Sequence, residues 1–171
     1  MVIDASVAAK WFLRDEIGAD LADTILLGLL ADEIELHAPQ IFYYEVGALL
    51  ARACGTSDPF TRQRRLERPH AARSVKELFG LPIRVAGPTE PESLRVLEMS
   101  VAYSKSYYDM TYLRLAEKLD CQWCTADDKI LEGNPYLFSV PSPMESITYG
   151  AAPRKSPWFS NLRFLRMREN A

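Results

Sequence analysis

Histidine is scarce in this 171-residue chain: there are two, His37 just before a proline turn and His70 beside Pro69. Chemistry that passes protons between paired histidines has little to work with, and both read as structural or solvent-facing. Cysteine is nearly as scarce. Cys54, Cys121 and Cys124 are odd in number and lack framework spacing, so they read as reduced thiols. The pair in CQWC has zinc or redox spacing, but no second cysteine pair exists to complete a zinc site, and DCQWCT reads as a strand rather than the opening of a helix. Long apolar runs are absent too. Nothing approaches the roughly 20 residues of a membrane span, and the N-terminus has neither a basic lead nor a cleavage site. These absences predict a cytoplasmic protein with no membrane partner.

What is present is an ordinary globular composition, 48% apolar, in a chain long enough for one domain with a core of its own. The net charge of −3 is unevenly spread: residues 149–171 carry +4 and residues 1–148 carry −7. A body that acidic does not hold nucleic acid by its overall charge, so any such binding needs a local basic patch or a bound cation.

Apolar periodicity alternates between strand and helix. Residues 1–4 predict a buried strand and 6–13 a helix; 18–31 a helix with Leu21, Ile25 and Leu29 at helical spacing; IELHAP a second strand; and 40–53 a strongly apolar helix. Residues 60–79 look helical but interrupted at Pro69, LPIRV supplies a third strand, and helices follow at 89–104 and 109–119. CQWCT and YLFSV predict the last strands, with a short helix at 127–132 between them. No internal repeat is visible. Strands separated by helices imply a mostly parallel sheet covered on both faces, with sites at the carboxyl ends of the strands.

Four acids stand where such a site would be. Asp4 ends the first strand; Glu45 is the one charge between Gln40 and Ala51 in QIFYYEVGALLA; Asp109 opens a helix after two tyrosines; and Asp127, beside Asp128, follows the CQWCT strand. Each has a plain structural reading. Asp4 can cap a helix, although Ser6 is placed to do so; Glu45 can reach solvent or Arg52; Asp109 can close a capping box begun by Ser106; Thr125 and Asp128 can form another, leaving Asp127 free. Together they imply several carboxylate oxygens over one sheet edge. Such a cluster repels itself and raises its own pKa values unless a hard divalent cation intervenes.

The segments VIDASVAAKWF, PQIFYYEVGALLAR, YYDMTYLRLAE and CTADDKIL, in this order and spacing, resemble the PIN-domain ribonucleases, in particular the VapC-type toxins of toxin–antitoxin pairs. The resemblance spans about residues 1–148. It implies a three-layer α/β/α sandwich around a mostly parallel sheet, and an Mg²⁺- or Mn²⁺-dependent endoribonuclease. By position, Asp4, Glu45, Asp109 and Asp127 match the family's catalytic, metal-binding acids, and Ser6 and Thr125 match the supporting hydroxyls. The resemblance also implies RNA as substrate, an antitoxin as partner and a homodimer.

Two segments fit this pattern less neatly. Arg62, Arg64, Arg65 and Arg68 form a charge run that is either a solvated helix face or a lip for RNA phosphates. The basic, aromatic-containing extension 149–171 has Ser156 and Pro157 placed to start a helix, which either packs back on the domain or covers a partner surface. Two other function classes compete: a non-catalytic PIN-like module that binds RNA or protein, and a phosphotransfer protein of another parallel α/β class. The haloacid-dehalogenase pattern needs a second acid where Ser6 stands, and the receiver pattern needs an acidic pair before the end of the first strand.

Overall fold

A computed structural model of the chain describes residues 1–55 and 64–130. Among these residues four parallel strands form one sheet: β1 (Val2–Ile3), β2 (His37–Pro39), β3 (Arg84–Ala86) and β4 (Trp123–Cys124), in the order β3-β2-β1-β4. Six helices connect them: α1 (Ala5–Ala8), α2 (Ala19–Leu30), α3 (Ile41–Gly55), α4 (Arg68–Gly80), α5 (Glu90–Tyr103) and α6 (Tyr107–Lys118). Short 3₁₀ turns extend α1 through Ala9–Trp11 and follow β4 at Asp128–Ile130. The predicted strand YLFSV, the extension 149–171 and Arg62 lie outside the described residues.

The strands are shorter than the apolar patterns suggest, and the third shows why. Pro82 has no N–H to give a ladder, so LPIRV cannot pair along its length. Pairing begins where Arg84 N donates to Leu36 O at 2.9 Å, and β3 lies exposed at the sheet edge. Pro69 also acts differently from its predicted role: it sits in the first turn of α4, where a missing N–H costs nothing, and starts the helix rather than interrupting one.

The interior is built from apolar helix faces laid on the two central strands. Val2 and Ile3 have no exposed surface, and Phe42, Val46 and Leu50 recur every fourth residue along α3 with at most 1% exposed. Burial of side chains this size contributes about 1.5–3 kcal/mol each. The chain moves from β1 out to β2 and β3, then returns through the α5–α6 hairpin to place β4 on the far side of β1. With right-handed crossovers that reversal puts the two helix groups on opposite faces and makes an α/β/α sandwich. It also opens a crevice at the carboxyl ends of β1 and β4, where parallel sheets bind ligands.

Candidate active site

Asp4 leaves β1 directly into that crevice. Its backbone is extended (φ −85°, ψ 150°), and its N–H continues the sheet by donating to Cys124 O at 2.9 Å. Asp4 is itself the N-cap of α1: Ser6 N donates to its Oδ1 at 2.8 Å, so the cap expected of Ser6 belongs to Asp4 and the helix starts one residue early, at Ala5. The other carboxylate oxygen accepts from the Trp123 indole N–H at 3.2 Å. Only 7% of the residue is exposed, and burial pushes its pKa up to about 6 against the pull of the Ser6 hydrogen bonds, with Glu45 and Asp109 adding repulsion.

Glu45 comes from α3 and takes a short hydrogen bond from the Tyr112 hydroxyl of α6. Its pKa is raised by burial and by the charge on Asp109, with the tyrosine bond opposing. Asp109 stands in the first turn of α6, where Ser106 is the N-cap and its Oγ accepts from Asp109 N at 3.0 Å. The capping reading is therefore correct for Ser106, and Asp109 also faces the crevice. Burial raises its pKa; Ser106 opposes this, Asp127 adds repulsion, and Lys105 offsets less than Asp127 contributes. Asp109 is the hub, since its charge is felt by Asp4 and Glu45 and it feels Asp127 in turn.

The loop after β4 is held by hydroxyls. Ser6 Oγ accepts from Ala126 N at 2.9 Å and lies 3.4 Å from Thr125 Oγ1, which accepts from Asp127 N at 3.2 Å. Ser6 and Thr125 thus tie the exit of β1 to the exit of β4. Asp127 is not wholly free, because its Oδ1 accepts from Lys129 N at 3.0 Å and caps the 3₁₀ turn, a role expected of Thr125 with Asp128.

Two further residues of the site were not singled out in the sequence. Tyr112 and Trp123 are almost fully buried, stack in parallel with centroids 6.1 Å apart, and each donates to one carboxylate. Burial and the charges of Asp4 and Glu45 raise the Tyr112 pKa far above the ordinary phenol value, so it stays a neutral donor. The signal for Tyr112 was its place three residues after Asp109, on a neighbouring face of the helix; for Trp123 it was a buried strand position, where an indole N–H needs an acceptor. The cysteines beside Trp123 form no disulfide, and burial with the Asp4 charge pushes the Cys124 thiol up to about 12.

The arginine run divides. Arg65 is engaged by Asp15 at 2.7 Å and Glu16 at 2.9 Å, and Arg64 and Arg68 are exposed.

The crevice offers oxygen donors: carboxylates, with the Ser6 and Thr125 hydroxyls beside them. Among the described residues no three acid, histidine or cysteine side chains close around a single point. An all-oxygen donor set of this kind suits a hard divalent cation rather than a thiolate-imidazole zinc site.

A family model described as the PIN domain matches residues 1–133. The chain belongs to the PIN-domain family. Solved structures agree in fold. VapC20 of Mycobacterium tuberculosis, a toxin that cleaves the sarcin-ricin loop, is 17% identical with a TM-score of 0.56, over 74% of this chain and 89% of its own. A toxin–antitoxin complex from Klebsiella pneumoniae supplies a chain 13% identical, TM-score 0.53, covering 78% of this chain and 92% of that one. PAE2754 from Pyrobaculum aerophilum is 18% identical with a TM-score of 0.53, over 76% and 81%. No curated protein sequence matches. Among the described residues of this PIN domain no helix is long and apolar enough to cross a membrane.

Proposed function

We propose that this PIN-domain protein is a metal-dependent endoribonuclease and the toxin of a toxin–antitoxin pair. The observation that carries the reading is the convergence of Asp4, Glu45 and Asp109, from three separate elements, at the crevice where the chain reverses around β1. Burial and neighbouring carboxylates raise all three pKa values there, and the hydrogen bonds of Ser6, Tyr112 and Ser106 and the charge of Lys105 only partly oppose this. Asp4 and Asp109 are the residues placed to hold Mg²⁺ or Mn²⁺ most directly, with Glu45 and Asp127 holding its waters or a second ion. When bound, the cation supplies Lewis-acid charge to the phosphate and activates water.

The chain's own contribution is positioning. Trp123 and Ser6 N fix both oxygens of Asp4, Tyr112 fixes Glu45, and Ser6 with Thr125 sets where the Asp127 loop meets the Asp4 cap. Held this way, the carboxylates do not need to reorganise when charge develops on the phosphate, which is the economical form of electrostatic catalysis. Arg64 and Arg68, with Arg62 of the same run, are proposed contacts for RNA phosphates. Exposed apolar stripes at Leu94, Leu97 and Val101 on α5 and at Leu27 and Leu30 on α2 support protein partners, an antitoxin and a second copy.

The test is cleavage of a mixed RNA pool with Mg²⁺ or Mn²⁺, with EDTA, and with the Asp109→Asn variant alongside. Cutting that needs the metal and disappears in the variant is the expected result. Cutting that persists in both EDTA and the variant overturns the site, and no cutting by folded, antitoxin-free protein favours the binding-module reading.

A further inference from the structure

Beside the carboxylates lies a cavity of about 400 Å³ that the nuclease reading does not use. Its walls are the N-terminal turn of α3, one side of α6 along its whole length, the ends of β2 and β3, and one side of α5. The cavity and the acid site share two helices in step. Tyr44 lines the cavity and the next residue, Glu45, faces the crevice; Tyr108 lines the cavity and is followed by Asp109; Thr111 lines it and is followed by Tyr112. The Glu45–Tyr112 hydrogen bond locks the two helices in that register. Consecutive residues on a helix project about 100° apart, so the cavity and the acid crevice lie on neighbouring faces of the same two helices.

The lining suits a flat, neutral, partly polar group. Tyr44 and Tyr108, from different helices, are 70% and 58% exposed, which is a large aromatic area left to solvent. Cationic groups in the wall are already matched: Arg114 and Lys118 both bind Glu92, and Arg114 also reaches Glu117. The cavity therefore does not present a surplus positive charge for a phosphate, whose place is at the acid crevice through its cation. Polar readout is available at the rim from the exposed carboxamide of Gln40 and from Thr111, whose hydroxyl donates to Tyr108 O at 2.6 Å and keeps its oxygen as an acceptor. The volume lies within the roughly 300–1,000 Å³ of small-molecule sites.

We propose that this cavity is a nucleobase subsite: it takes one unstacked base of the RNA, adjacent to the scissile phosphate, between the rings of Tyr44 and Tyr108. The proposal rests on the nuclease reading and adds to it a determinant of where the chain cuts. Bases splayed out of the stack and held on aromatic side chains are the common mode of single-stranded RNA recognition.

The experiment uses the full chain as wild type, as Tyr44→Ala/Tyr108→Ala and as Tyr44→Phe/Tyr108→Phe. Cleavage is read by sequencing the cut ends of an RNA pool, with KM and kcat on one cut sequence. Binding is read separately by quenching of 2-aminopurine in a short single-stranded RNA. The expected result is a base preference next to the cut, lost in the alanine pair together with the quenching, a KM raised roughly tenfold with a smaller fall in kcat, and retention of all three in the phenylalanine pair. Metal-dependent cutting with the same preference, KM and quenching in the alanine pair overturns the subsite and leaves the nuclease intact. Quenching that the alanine pair abolishes, in a protein that cuts nothing, keeps the subsite and overturns the nuclease. Neither quenching nor cutting by wild type overturns both.

Discussion

Two groups of carboxylates in this molecule have opposite electrostatic histories. Around Arg65, Asp15 and Glu16 are held below their ordinary pKa values by the guanidinium, and Glu92 is held down in the same way by Arg114 and Lys118. At the end of β1, near the start of α3 and at the start of α6, Asp4, Glu45 and Asp109 are all pushed up, chiefly by burial. The chain places Arg65, Arg114 and Lys118 on the first group. The second group is held chiefly by Tyr112, Trp123 and backbone N–H donors, which orient carboxylates without supplying charge, and Lys105 only partly offsets the repulsion at Asp109. A fold that tolerates such a cluster keeps it available for an external cation.

The largest expected effect comes from removing the hub. Asp109→Asn keeps the Ser106 cap on its own N–H and removes one of the repelling charges, so RNA cleavage should fall by at least a thousandfold, on the order of 4 kcal/mol in the barrier. Its apo melting temperature should stay level or rise slightly. By contrast Glu92→Gln, which leaves Arg114 and Lys118 without their shared partner, should lower the melting temperature and leave metal dependence in place. Side-by-side cleavage assays and thermal melts check both.

Second in size is the response to the cation itself. A ligand that binds only the folded state stabilises it by about 2.7 kcal/mol at a hundred times its dissociation constant. At pH 7, Mg²⁺ or Mn²⁺ should therefore raise the wild-type melting temperature by several degrees, and Asp4→Asn/Asp109→Asn should abolish that rise. A shift of equal size in the double variant would place the ion elsewhere.

Without metal, pH separates the two groups by sign. Asp4 titrates near 6 folded and near 3.8 unfolded, so between these values the folded chain binds more protons, and stability increases as pH falls from above 6. At about 1.4 kcal/mol per pH unit the effect is on the order of 3 kcal/mol, and Glu45 and Asp109 add to it in the same direction. Asp15, Glu16 and Glu92 do the reverse: their stabilisation is present above their unfolded values of 3.8 to 4.5 and is lost as pH falls through the lower folded values. Thermal melts of apo protein should peak near pH 4.5 rather than near neutrality. Asp4→Asn, whose amide oxygen can still cap α1, should flatten the limb between 4 and 6.

The comparison also explains what could be read from the sequence. Apolar periodicity located α2, α3, α5 and the ends of the central strands, because those patterns are set by burial. The four acids were legible as candidates from their places: Asp4 and Asp127 after strands, Asp109 at a helix start, and Glu45 as the one charge in an apolar helix. What was missed depends on atoms that meet only in the fold: the indole of Trp123 and the hydroxyl of Tyr112 each find a carboxylate 119 or 67 residues away. The exchange of capping roles, Asp4 for Ser6 and Asp127 for Thr125 with Asp128, has the same origin. Ser6 and Thr125 are engaged in joining two strand exits, a demand that no local motif records.

The smallest expected effect falls on Arg65, and it tests whether the satisfied group is structural. Arg65 bonds Asp15 and Glu16, and Glu16 also takes Lys10 Nζ at 3.2 Å, so the arginine ties the segment ahead of α4 to the turn ahead of α2. The pairs are partly exposed, and such bridges contribute only about 0.2–1 kcal/mol each and weaken with salt. Arg65→Met should therefore cost about 1 kcal/mol at low ionic strength and less at 0.5 M salt, with metal-dependent cleavage of RNA retained at low salt. If cleavage falls instead through a higher KM that salt no longer influences, Arg65 contributes its charge to RNA phosphates despite its two carboxylates, and the arginine run belongs to the substrate surface.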